Sequence, residues 1–421
     1  MDYTRKVLKN GLRLVLVPMK DNPTVTFMVF VNAGLEYETK KHNGISHFLE
    51  HMCFKATKTK SQREMSYELD KIGASNNAYT GHTETSYYAK ASFRHAEKIL
   101  DIVSDIYLNP VFPEAEIKKE KGVVIEEINM YHDSPQKHVW QVLSSLLYGD
   151  QSAGWDIAGT KKTVSALKRK DLVDYHKKHY VPEATTVVVA GNFNKNTILK
   201  EVERRFGTIK KTKSPSKQKI TFHQNKPRIK IEYRKGDQTH FVLSMKSINS
   251  DDKRKYALSV LSAILSGGMS SRLYQKMREE LGVCYYVSTY RHLYPDRGEF
   301  GVYAGVNNAR LEEALLAIQA ELKKMSTELV SEKELKKAKD YITGHFYMGL
   351  ESSDAYADYY GSYEVNRQKI LKPKERAKLI RKVSAKDIKN LAKLIFKTNH
   401  LNLALVGPTK NKDKILKVLH F

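Results

Sequence analysis

The sequence is poor in cysteine. Two thiols, Cys53 and Cys284, in 421 residues are too few for a disulfide framework, and neither sits in a Cys-x-x-Cys pair, so a reducing compartment is expected. Long apolar runs are also missing. Pieces such as Val187–Ala190 are strand-sized, far below the roughly 18 residues of a membrane span, which rules out spanning, and no membrane partner is expected. The opening residues Met1-Asp2-Tyr3-Thr4-Arg5-Lys6 carry no apolar segment of a signal peptide, and the cytoplasm is the expected location. Proline is scarce, at 11 residues, and with 41% hydrophobic and 10% aromatic residues a disordered chain is excluded. Acidic residues are in deficit: 47 Asp plus Glu against 72 Lys plus Arg leave a net charge of +25. That excess raises the question of phosphate binding, but the lysines are scattered and interleaved with glutamates, and no nucleic-acid-binding motif accompanies them. A solvated lysine-rich surface and no nucleic-acid partner are expected.

What is present is, first, an internal repeat. Leu167–Gly191 aligns without a gap on Val383–Gly407, an offset of 387 − 171 = 216 that pairs Lys170-Asp171-Leu172 with Lys386-Asp387-Ile388. A period near half the length indicates a duplicated domain, not a solenoid of short units. Between the copies, residues 209–227 are polar and lysine-rich with two prolines and read as a linker, dividing the chain into domains 1–208 and 228–421. The first half opens with an Asn10-Gly11 turn between strand patterns, a hairpin signal, and Thr24–Val31 alternates as a third strand. Helical patterns follow at 43–56, 61–72, 93–107, 114–131 and 168–179, with a strand near 83–90. Clustered strands and helices, without strict alternation, predict an α+β fold of helices on mainly antiparallel sheets.

The chemistry concentrates in Asn43-Gly44-Ile45-Ser46-His47-Phe48-Leu49-Glu50-His51-Met52, with Asn43 the expected N-cap of a helix. At about 100° per residue, His47 and His51 lie roughly 40° apart and one turn along, so both imidazoles can reach one metal ion. Glu50 shares their side, while Ile45, Phe48, Leu49 and Met52 form an apolar stripe opposite. Two imidazoles and a carboxylate suit zinc, whose catalytic sites take three protein ligands and leave one position open. The helix after Pro113 offers further candidates. Ile117, Glu120, Val124, Glu127, Ile128 and Tyr131 fall within an arc of about 100°, so two carboxylates sit in an apolar stripe. Buried carboxylates need a cation or donor, and a metal held by the two histidines is one. Glu120 and Glu127 are two turns apart on one face, so either can ligate while the other lies beside the ion.

These residues resemble the inverted zinc peptidases of the pitrilysin class, in particular the small branch similar to the β subunit of the mitochondrial processing peptidase. The family's third ligand follows the His-x-x-Glu-His motif by about 75 residues, with a second glutamate seven residues before it. Here 127 − 51 = 76 leaves 75 residues between, and Glu120 takes the second place. The resemblance implies one zinc per chain on His47, His51 and Glu127, Glu50 as general base and Glu120 as an assisting carboxylate. It also marks Asn77-Ala78-Tyr79-Thr80 as edge backbone that binds substrate, through Asn77 and Ala78, while Thr83, followed by Glu84, stands where the family usually has a glutamate. In the second half, Leu265–Leu273 looks like the family's glycine-rich loop, and Arg278 and Tyr285 match its substrate-binding, oxyanion-stabilising pair. The second half has no His-x-x-Glu-His and reads as a degenerate copy. Two-domain members resemble half of a clamshell, which implies a homodimer enclosing peptide substrates in a chamber. The net charge of +25 argues against basic presequences as those substrates.

Overall fold

The structure, a computed structural model, describes residues 2–421. The chain forms two compact units. One comprises Met1–Asn129, Trp155–Lys219 and Gly349–Lys372, the other Met130–Gly154, Ile220–Met348 and Pro373–Phe421. The division at 208 and 228 read from the sequence therefore differs from the units in two segments, 130–154 and 349–372, each of which joins the opposite unit. The stretch 209–227 is shared between them and is tied down along its middle. Ser214 N–H donates to Glu183 Oε2 at 2.8 Å and Gln218 N–H to Glu36 O at 2.8 Å, while Ile220 is buried in the second unit.

Both exchanged segments have the same physical reason. The first unit is built on a six-stranded sheet of β1 (Thr4–Val7), β2 (Arg13–Pro18), β3 (Thr24–Val31), β4 (Ser75–Thr80), β5 (Thr85–Ser92) and β6 (Thr185–Gly191), in the order β1-β2-β6-β3-β5-β4. All neighbours are antiparallel except β2 and β6. Val25, Phe27, Val29 and Val31 of β3 enter the main core with Ile99, Leu100, Val103 and Phe206. The alternate residues Thr26, Met28 and Phe30 are equally buried and need a second cover. The helix Ser353–Val365 supplies it: Ser353 Oγ lies 2.8 Å from Thr26 Oγ1, and Gly361 packs so closely on Phe30 that a Cβ would fall 2.1 Å from its ring.

The second unit repeats the plan with β7 (Arg228–Tyr233), β8 (Gln238–Ser247), β9 (Cys284–Leu293), β10 (Gly298–Asn307) and β11 (Asn402–Gly407), ordered β7-β11-β8-β10-β9 with β7 and β11 parallel. Leu403 and Leu405 of β11 enter one core, whereas Ala404 and Val406 face Val139, Val142 and Leu143 of the helix Pro135–Tyr148. The sequence repeat maps onto matching elements. Helices Arg169–His179 and Ala385–Ile395 each lead into a central strand, β6 or β11, that ends on a glycine. A Cβ on Gly191 would lie 2.3 Å from Thr24 O, and one on Gly407 2.6 Å from Thr239 Oγ1, so the neighbouring strand approaches too closely for any side chain.

The expected hairpin of β1 and β2 forms through Asn10 and Gly11: Gly11, at φ +96°, donates to Leu8 O, Leu8 N–H bonds Leu12 O, and the Asn10 side chain turns inward and donates to Phe206 O at 2.7 Å. One local expectation is corrected. Asn43 does not cap the helix Ile45–Cys53. Gly44, at φ +92°, holds the N-cap position, and the buried Glu38 carboxylate accepts from Gly44 N at 2.8 Å, Ser46 N at 2.9 Å and Asn43 Nδ2 at 3.0 Å. Burial pushes the Glu38 carboxyl up to about 7, against the pull of these donors. A Glu38→Ala substitution removes the acceptor for all three buried donors. It should destabilise the first unit by about 2–4 kcal/mol, read as a lower denaturation midpoint, and an unchanged midpoint would contradict this role for Glu38.

Candidate metal centre

The helix Ile45–Cys53 buries Ile45, Phe48, Leu49 and Met52 completely and turns His47 and His51 to a half-open face. Their rings lie 4.6 Å apart between centroids. Across from them runs the helix Glu114–Asp133, anchored by buried Ile117 and Val124, which brings Glu127 to the same point. Glu127 Oε2 is 3.6 Å from His47 Nε2 and 3.6 Å from His51 Nε2, and the three donor atoms lie within 4.8 Å of one another. A tetrahedral ion with bonds of about 2.0–2.1 Å holds its ligand atoms roughly 3.3–3.4 Å apart, so this gap matches a zinc ion with small side-chain adjustments. The apolar stripe of the longer helix is buried at residues 117–124 and opens toward its C-terminal end, where Tyr131 is exposed.

The two imidazoles differ in protonation. Burial, with the neighbouring His51 adding to it, lowers His47 to about 4, so its imidazole is neutral at pH 7. His51 also loses by burial, but the hydrogen bond to Glu120 and the charges of Glu50, Glu120 and Glu127 raise it overall. That hydrogen bond joins His51 Nδ1 to Glu120 Oε1 at 2.8 Å and leaves Nε2 facing Glu127. Glu120 therefore lies behind His51, where it orients the ring, and does not face the gap between the ligands. Its second oxygen meets Lys55 Nζ at 2.6 Å. Burial alone would raise the Glu120 carboxyl, but His51 and Lys55 together hold it below the ordinary range.

Glu50 is 8% exposed and accepts a hydrogen bond at Oε2 from Thr80 Oγ1. Burial raises its carboxyl, the Thr80 bond and His51 pull it back, and Glu127 adds to the rise. Thr80 closes β4, the outermost strand of its sheet, so the backbone of Asn77 and Ala78 lies on a free edge. Thr83 donates to Glu84, a carboxyl that burial pushes up. Arg278 and Tyr285 belong to the second unit. Arg278 is exposed, donates to the Tyr285 carbonyl and stacks over Tyr274 at 5.6 Å, while Tyr285 is 70% exposed at the start of β9. Lys55 and Glu38 went unnoticed, and Thr80 was read as edge backbone and not as the partner of Glu50. For Lys55 a signal exists, since it follows 47 and 51 at helical spacing, although the helix itself ends at Cys53.

Two protein-family models match this sequence: "Insulinase (Peptidase family M16)" over residues 13–161 and "Peptidase M16 inactive domain" over residues 166–342. The chain belongs to the M16 insulinase family of peptidases. The uncharacterized zinc protease YmxG of Bacillus subtilis is 36% identical over 97% of this chain and 98% of its own length. An uncharacterized zinc protease of Rickettsia felis is 34% identical over 95% of this chain and 96% of its own. Among solved structures, a protease from Helicobacter pylori superposes with a TM-score of 0.89 at 23% identity, covering 97% of this chain and 99% of that one. A peptidase M16 inactive domain from Pseudomonas fluorescens gives 0.90 at 17%, with the same coverage. Both share the two-domain α+β fold. Among the described residues no helix is long and apolar enough to cross a membrane.

The geometry yields a measurable consequence. Glu120→Ala should weaken zinc affinity about 10–100-fold in a chelator-competition titration without abolishing binding, because the three donor atoms remain. An affinity equal to wild type would remove Glu120 from the support of the site.

Proposed function

We propose that this chain is a zinc-dependent endopeptidase, acting in the cytoplasm as a homodimer on peptides or unfolded segments. The observation that carries the reading is the convergence of His47, His51 and Glu127 at 3.6 Å beside a buried carboxylate, Glu50. Zinc, when bound by these three ligands, supplies a Lewis acid beside the attacked carbonyl and its water. Glu50 accepts a proton from that water through Oε1, since Oε2 is held by Thr80, while the water oxygen adds to the carbonyl carbon. As the C–N bond breaks, Glu50 returns the proton to the departing amine. Glu120 acts through His51, fixing its ring and tautomer. The free edge of β4 suits an extended substrate added as a further strand along Asn77 and Ala78, with affinity from main-chain bonding.

Arg278 and Tyr285 of the partner subunit are assigned to the substrate backbone and developing oxyanion, where one donor is worth about 2.7–4 kcal/mol in other enzymes. Exposure of both residues supports a role toward a second molecule. The reading as an inactive binding subunit draws on the matched family description of an inactive domain. That description falls on residues 166–342, whereas His47, Glu50, His51, Glu120 and Glu127 all lie outside it and are all retained. The two buried free cysteines support the cytoplasmic location.

Purified Glu50→Gln should keep zinc yet cleave a quenched fluorescent peptide about 10²–10⁴-fold more slowly. Activity equal to wild type would overturn the mechanism. Dimeric action is tested by mixing inactive chains: Glu50→Gln with Arg278→Ala should restore up to one functional site per mixed dimer if Arg278 serves the partner subunit. Failure to complement in a verified mixed dimer would place Arg278 in the service of its own chain.

A further inference from the structure

We propose a second transition-metal site, formed by His132, His138 and Glu232 within the second unit. His132 ends the helix Glu114–Asp133, and His138 lies in the first turn of Pro135–Tyr148. Ser134-Pro135 breaks the chain between the two helices, with Ser134 O accepting from the amides of Lys137 and His138, and this turn swings both rings toward β7. Glu232 of β7, an edge strand, meets them there. Its Oε2 is 2.6 Å from His138 Nε2 and its Oε1 is 3.9 Å from His132 Nε2, and one donor atom from each residue lies within 4.8 Å of the others.

The protein carries its own standard for comparison. His132 and His138 have ring centroids 4.7 Å apart at 56°, against 4.6 Å and 61° for His47 and His51, and each pair is completed by one glutamate. Two imidazoles and a carboxylate select a late first-row divalent ion such as zinc over magnesium or calcium. The His138 side chain is 13% exposed and that of His132 57%, so the site is rooted on one side and open to water on the other.

Arg234 opposes the ion. It donates to His132 O through Nη1, and its Nη2 stands 3.3 Å from Glu232 Oε1 and 3.4 Å from His132 Nε2. Asp133 Oδ1, 3.4 Å from His132 Nδ1, offsets part of that charge. Binding requires the short His138–Glu232 contact to open and Arg234 to swing out, which makes this the weaker of two sites. An ion there would pin the turn 132–138 to the sheet edge.

The test uses the full chain stripped with chelator and titrated with Zn²⁺, with bound metal counted by mass spectrometry after dialysis. Wild type should take up two ions per chain, and excess Mg²⁺ should displace neither. His132→Ala, an exposed position that leaves the core intact, and Glu232→Gln should each lose only the weaker ion. Arg234→Ala should tighten that ion about tenfold by removing a nearby positive charge. In a His47→Ala/His51→Ala background a single ion should remain, and adding His132→Ala should remove it, which separates this proposal from the peptidase reading. Uptake of one ion by wild type, or a second ion unaffected by both His132→Ala and Glu232→Gln, would overturn it.

Discussion

The contact between Glu120 and the pair His51 and Lys55 governs the geometry of the metal centre. A carboxylate in the apolar stripe of a helix has to be met by donors, and here the helix Ile45–Cys53 supplies His51 and the turn just beyond its end supplies Lys55. Removing one partner of such a buried pair typically costs about 3–5 kcal/mol, so the two helices are locked in register. Glu127, two turns beyond Glu120, then has one place to go. The same bond that fixes the crossing also fixes the His51 tautomer, so the packing of the two helices and the readiness of His51 as a ligand rest on one interaction.

The grouping of His47, Glu50 and His51 was legible because it depends on helical periodicity, which sequence preserves, whereas periodicity left Glu120 and Glu127 open and only the family resemblance chose Glu127. What surrounds the motif was not legible. Glu38, Thr80 and Lys55 act through hydrogen bonds to atoms brought near by tertiary structure, and Glu38 takes the role expected of Asn43 although it lies six residues before the N-cap Gly44. Nor does a spacing of six across a Ser-Pro break, as between His132 and His138, match a single helical face.

The fold shows the same division. The duplicated helix and strand units and the α+β class followed from pattern, since an offset of 216 residues carries Arg169–His179 onto Ala385–Ile395. The crossing over of 130–154 and 349–372 did not. The buried side of the helix Ser353–Val365 carries Ser353, Tyr360, Gly361 and Glu364 beside Ala357 and Val365, and so shows no apolar stripe to reveal where it packs. Nor did β3 reveal it: read as an alternating strand, it is buried on both faces and calls for two covers.

The edge strand β4 has a further consequence for how the protein behaves at high concentration. A row of unpaired backbone groups is ordinarily an invitation to self-association. In β4 that edge is written Ser75-Asn76-Asn77-Ala78-Tyr79-Thr80, with adjacent asparagines, little apolar surface and few strand-favouring residues. Two copies of this edge have little to gain from each other. The polar composition of this edge thus guards against one copy stacking on another. In the second unit β9 occupies the equivalent outer position, but it is written with three tyrosines, Val287 and Thr289, so the two margins differ in character.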